Sequence, residues 1–185
     1  MAKKIYRIVS WVLLAFTLFS LVLVLEKPTG PQAPTSADAG KSFDTKLNQL
    51  ALGQPDAPQE IHITEMELNS KLKESLESPD PSSGRRNLNG ATVHMEGDRI
   101  TGTFTVGLLG RDVSLTLGGN LGVRNGVLEF NPTAVRLGAM PVPVGLIEPA
   151  LRQKLSTPEM RERLTVPDSI KDIRIENGEM VFERK

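Results

Sequence analysis

Cysteine is absent, so the chain has no disulfide framework, no thiolate metal site and no lipidation cysteine. A domain of this kind outside the cytoplasm must be held by its core alone. Aromatic residues make up only 4% of the 185 residues, while glycine and proline together number 29, a balance that disfavours a helical bundle and favours strands and loops. A basic cluster is missing too. From Pro28 onward the chain carries 18 basic and 21 acidic residues, a poor surface for nucleic acid, and none is expected as a partner.

Catalytic signatures are also lacking. No glycine-rich loop opens a helix with a following lysine, so no phosphate cradle is present. No serine sits in a nucleophile elbow, and neither His62 nor His94 has a triad-like neighbourhood. His94 and Glu96 fall on one strand face, yet a metal site needs a third or fourth ligand and none is suggested. Glu65, Glu67, Asp112 and Glu129 are accounted for by capping, turns or solvated faces, and Arg85-Arg86 by a solvated loop. The residues point to no enzyme, no metal and no cofactor.

One long hydrophobic run is present. Ile8 to Leu25 carries no charge, and only Ser10, Thr17 and Ser20 interrupt it. As a helix it would span roughly 27 Å, close to the hydrocarbon thickness of a bilayer. Lys3, Lys4 and Arg7 precede it, which predicts a cytoplasmic tip and an extracytoplasmic body. A cleaved signal peptide is the competing reading, and Ala37-Asp38-Ala39 has the form of a cleavage site. That site lies well beyond Leu25, so the expectation is an uncleaved signal anchor over residues 1–25, placing the protein in a bacterial inner membrane. Residues 26–40, broken by prolines, are expected to be a flexible spacer. Residues 41–185 form the extracytoplasmic domain.

Within that domain the dominant pattern is period two. Val113, Leu115, Leu117, Gly119, Leu121 and Val123 alternate with small or polar residues, as do Ile100, Gly102, Phe104 and Val106. Ala91 to Leu137 therefore reads as consecutive antiparallel strands, with Asn125-Gly126 a strong hairpin turn. A second hairpin is expected at Asn177-Gly178. Gly138 to Pro143 is expected to leave the ladder. Glycines 102, 118, 119 and 122 inside strands imply a bent sheet or close packing upon it.

Helices flank the sheet. Phe43, Leu47 and Leu50 mark a short one. Thr64 with Glu67 forms a capping box, opening a helix with Leu68, Leu72 and Leu76 on one stripe. Val144, Ile147, Leu151 and Leu155 form another stripe, whose regular helix is expected to start near Ile147 because Pro149 belongs in a first turn. A last short helix begins at Pro158. The fold expectation is α+β: a curved antiparallel meander packed with two or three helices. By default these apolar residues form an ordinary core. The sharper reading is an apolar groove between sheet and helix, lined by Leu68, Leu72, Leu76, Phe104, Val106, Leu115, Leu117, Leu121, Val123, Ile147 and Leu151. An envelope protein docking at Met140 to Val144 is the alternative.

The segment Ile63-Thr64-Glu65-Met66-Glu67-Leu68-Asn69-Ser70-Lys71-Leu72 resembles the helix start of YpmS-like membrane-anchored bacterial proteins. The meander, the Asn125-Gly126 hairpin with Leu128 and Phe130, and Leu137 to Pro143 leading into a helix follow in the same order. Val166-Pro167 through Ile173 and Ile175 to Asn177-Gly178 is similar to the end of LmeA-like envelope proteins. The resemblance covers roughly residues 43–182 and rests on short motifs. It implies a small relative of the tubular lipid-binding class, in which a curved antiparallel sheet wraps a helix around an apolar groove. It also implies lipid binding or transfer in the envelope. The chain is short for a full tube, which would take two copies, a homodimer.

Overall fold

The alternation from Ala91 to Leu137 is a sheet. In the computed structural model, which describes residues 33–52, 58–77, 88–108 and 111–185, the fold is α+β with two antiparallel sheets. The elements run α1 (Ala37–Leu52), β1 (Glu60–Thr64), α2 (Glu65–Glu77), β2 (Leu88–Glu96), β3 (Arg99–Leu108), β4 (Arg111–Arg124) and β5 (Val127–Leu137). They continue with β6 (Met140–Val142), α3 (Val144–Leu155), α4 (Pro158–Leu164), β7 (Ile170–Glu176) and β8 (Glu179–Arg184). The apolar run Ile8–Leu25, its basic tip, the first part of the expected spacer and Arg85-Arg86 lie outside the described residues. Among the described residues no helix is long and apolar enough to cross a membrane.

The larger sheet is a five-stranded meander in the order β2-β3-β4-β5-β6. Residues opposite one another in an antiparallel pair share a face, so the register sorts the side chains. Val93, Gly102, Leu117, Val135 and Val142 lie in one row across all the strands, and Ala91, Phe104, Leu115, Leu137 and Met140 in the next. The result is one continuous apolar face. The reverse face is polar: Thr92, Thr103, Thr116 and Arg136 line up there, and the Thr103 and Thr116 hydroxyls are 3.2 Å apart.

The smaller sheet, β1-β8-β7, turns Ile61, Ile63, Met180, Phe182, Ile173 and Ile175 to one side. Ile61, Ile170 and Ile173 join Leu50 of α1 and Val166 in a buried cluster, with Val123 and Leu128 of the larger sheet packed against it. The core thus sits where the smaller sheet meets the β4–β5 end of the larger one. The Gly178 N–H donates to Gly97 O at 3.2 Å, tying the β7–β8 turn to the β2–β3 turn. On its other side the smaller sheet buries Val181 completely beneath charged neighbours. Arg174, opposite Val181, holds Glu60 at 2.8 Å and Glu183 at 3.3 Å, so side-chain stems cover the valine while the charges stay wet.

Helix α2 runs along the outer edge of β2. Strand β1 passes into it without a loop, because the capping box closes at once. Thr64 N–H donates to the Glu67 carboxylate at 2.8 Å and Glu67 N–H to the Thr64 hydroxyl at 3.3 Å. Both Asn-Gly turns adopt positive φ at each position, as their residues dictate: 54° and 73° at Asn125-Gly126, 53° and 79° at Asn177-Gly178.

Four expectations are corrected. Helix α1 begins at Ala37, inside the expected spacer, because the Ser36 hydroxyl accepts the Ala39 N–H at 3.0 Å and caps it. Strand β2 begins at Leu88, earlier than the alternation indicates, with an irregularity between Leu88 and Gly90. Met140–Val142 does extend the ladder, pairing with Val135–Leu137. Pro141 is tolerated because Leu137 and Met140, flanking the turn, form the hydrogen-bonded pair, so the next residue's missing N–H falls on the free edge. Helix α3 starts at Val144 and takes Pro149 inside. Its opening turn is tightened, with Leu146 N–H bonding Pro143 O at 3.0 Å.

Candidate ligand cavity

Strand β6 covers only Val135–Leu137 of β5, which leaves the first half of β5 without a strand on its outer side. Helices α3 and α4 close that side. Thr165 bridges Val127, and the Val166 N–H donates to Gly126 O at 2.8 Å, pinning the exit of α4 to the β4–β5 turn. Ile147, Leu151 and Leu155 recur at helical spacing on α3 and are half-buried, whereas Arg152, Gln153 and Lys154 are exposed. Lys154 O accepts the Thr157 hydroxyl at 3.0 Å at the helix end, and Pro158 then starts α4 at a position that needs no N–H.

Between these helices and β5 lies a cavity of about 360 Å³. Its apolar lining comes from Leu128, Phe130 and Pro132 of the sheet, Leu151 and Leu155 of α3, and Leu164 of α4, while Asn125, Asn131 and Ser156 join the charged residues in making more of its exposed wall polar than apolar. The three sheet residues pair with Val123, Leu121 and Gly119 and so belong to the apolar face. Gly119 shapes the floor. A Cβ there would lie 2.8 Å from the Phe130 ring and 2.2 Å from Asn131 O, so only glycine lets the ring lie down on β4. Thr133 has no partner in the register at this point, and the strand bulges.

The rim is charged. Arg124 meets Glu129 at 3.3 Å, and Arg152 grips Glu148 through Nη2 at 2.7 Å and Nε at 3.0 Å. Both arginines are largely in solvent. Arg161 of α4 also lines the cavity, and among the described residues no carboxylate pairs with it.

The expected groove residues fall in two places. Phe104, Val106, Leu115, Leu117, Leu121 and Val123 do share one face. Of the expected groove residues only Leu151 lines the cavity; Leu121 and Val123, on β4, pair with the lining residues Phe130 and Leu128, and Val123 packs against the core. Ile147 is half-buried on α3 but does not line the cavity. Leu68, Leu72 and Leu76 are half-buried on α2, at β2, the opposite edge of the sheet. The two leucine helices therefore flank the sheet instead of meeting over a single tube. Leu128 and Phe130 fall in the strand expected after the Asn125-Gly126 turn, and Leu155 on an expected helix stripe. Arg161, inside a charged run, gave no signal.

Other candidates resolve into structure. Glu67 is the one carboxylate buried among the described residues. Burial pushes its pKa up, but Lys46, the Ser42 hydroxyl and the Thr64 N–H and hydroxyl outweigh burial and hold it at about 2. Lys46 lies 2.7 Å away, so the group ties α1 to α2. His94 sits 2.8 Å from Glu65, and His62 3.0 Å from Glu179, both exposed and neither lining the cavity. Among the described residues no group of His, Asp and Glu is arranged to hold a metal. Compared with protein-family models, with curated proteins and with solved structures, the chain matches none.

Proposed function

We propose that the protein is a membrane-tethered envelope protein that holds an apolar or lipid ligand between its larger sheet and helix α3. The observation that carries this reading is the cavity of about 360 Å³, lined in part by Leu128, Phe130 and Pro132 of the sheet and two α3 leucines and within the size range of small-ligand sites. The sheet supports it further. Phe104, Leu115, Leu117 and Leu137, on the same face beyond the core, are only half-buried, a surface that an acyl chain would cover. The tether is the run Ile8–Leu25, and the five-stranded meander with a flanking helix is compatible with a half-tube of the tubular lipid-binding kind.

A partner-docking reading has one observation in its favour. Leu146 is 72% exposed, beside the exposed Pro141 and Pro143. One experiment separates the two. A benzophenone side chain placed at Leu155, at Leu146 or at Thr103 of the full chain is photolysed in intact envelopes. Lipid adducts at Leu155 and none at Thr103 are expected. Protein adducts at Leu146 with no lipid at Leu155 would replace ligand binding with docking.

A further inference from the structure

We infer that the cavity takes a single-chain amphiphile with an anionic head, a carboxylate or a phosphate monoester, held by the arginine rim; this rests on the apolar-ligand reading above. Three arginines from three separate elements line the one cavity: Arg124 at the β4–β5 turn, Arg152 on α3 and Arg161 on α4. Solvated arginines are common on any surface, but these share one cavity with Leu128, Phe130, Leu151 and Leu155, the combination an amphiphile requires. The volume, about 360 Å³, lies at the small end of ligand sites and suits one chain rather than two.

The charges decide the head. Glu129 and Glu148 also line the mouth, and each is already engaged by an arginine. Arg161 is left over, with no carboxylate partner among the described residues. A guanidinium presents donors in a planar fork that matches a carboxylate or phosphate through two parallel hydrogen bonds. The Arg124 and Arg152 pairs are exposed, with 72% and 76% of those side chains in solvent, so an arriving anion displaces weak, screened contacts. A neutral head would accept only hydrogen bonds without the opposite charge, and so gain less from the rim than an anion does.

The test uses the full chain in nanodiscs of zwitterionic lipid with three diazirine probes: palmitate, its methyl ester and a lysophosphatidate. Labelled peptides are located by mass spectrometry. At least one anionic probe is expected to label the peptides around Leu128–Pro132 or Leu151–Leu155 about ten-fold more than the ester, as expected for one charge-assisted contact. The stronger of the two anions identifies the head. R161Q, which removes the charge from an exposed side chain, should drop that labelling to the level of the ester with an unchanged unfolding midpoint, and R161K should restore part of it. Equal labelling by ester and anions, or labelling unaffected in R161Q, overturns the anionic head while leaving the apolar site standing. No cavity labelling by any probe overturns both.

Discussion

The side-chain amide of Asn69 pairs with the backbone of Val93 as a neighbouring strand would: Nδ2 donates to Val93 O at 2.7 Å, and Oδ1 accepts the Val93 N–H at 2.7 Å. Val93 lies on β2, the edge of the larger sheet, where unpaired backbone groups invite another chain. Two residues along, Glu65 accepts the Met95 N–H at 3.0 Å. Helix α2 thus closes this edge with polar side chains spaced one helical turn apart. Asn69 is buried, so N69A leaves both Val93 groups without partners and is expected to cost about 2–3 kcal/mol in urea unfolding. N69D should not rescue, because a carboxylate has no donor for Val93 O. Wild-type stability in N69A would show the edge to be closed by other means.

Glu67 predicts an acid-sensitive joint between α1 and α2. Its carboxyl is held at about 2 against an ordinary 4.5. A depressed folded pKa contributes stability that is fully present above 4.5 and disappears as pH falls through the folded value. The contribution is on the order of 3 kcal/mol at neutral pH, the equivalent of that difference. E67Q should therefore be less stable than wild type at pH 7, and the gap should close as pH falls toward 2. Unfolding midpoints of both proteins across this range give the check; a constant gap would show that the ion pair with Lys46 is not its source.

Two glycines on β4 should respond in opposite ways. G119A drives a methyl group into Asn131 O and the Phe130 ring, and is expected to cost about 3 kcal/mol or more and to disturb the cavity floor. At Gly122 an added Cβ meets nothing within 4 Å. G122A should be neutral or stabilising by up to about 1 kcal/mol, through a stiffer unfolded chain. Thermal unfolding of the pair decides whether close approach is confined to the Phe130 side.

Core and surface apolar residues separate just as clearly. Ile63 is fully buried, and I63A should cost about 2–5 kcal/mol through lost transfer energy and a residual void. Leu146 is 72% exposed, and L146D should change stability by no more than about 0.5 kcal/mol. L146D is thus a clean probe of docking, since any loss of function would come from a lost contact and not from unfolding.

Local chemistry was legible along the chain. Period-two alternation marked Ile100–Val106 and Val113–Val123 as strands with one apolar face, and consecutive hairpins left a meander as the simplest pairing. Asn125-Gly126, Asn177-Gly178, Thr64 with Glu67 and Pro158 each acted through a backbone requirement that neighbours cannot override. What depended on distant partners was not legible. Met140–Val142 becomes a strand only because Val135–Leu137 offers an edge and Pro141 falls on its free side. Ile147, Leu151 and Leu155 declare an apolar stripe, but nothing in their spacing states that α3 covers β5 while Leu68, Leu72 and Leu76 lie at β2.

The sequence by itself determined the elements, the two-faced sheet and the turns, because side-chain alternation, capping and positive φ are properties of residues a few positions apart. Only the tertiary structure decided where the cavity lies and which charges border it. Arg124, Arg152 and Arg161 are brought to one mouth by the Thr165–Val127 bridge and the packing of α3 on β5, contacts between segments that the chain alone does not pair. A stripe or a face records that a side chain will be buried; which surface buries it follows from the geometry of the assembled sheet and helices.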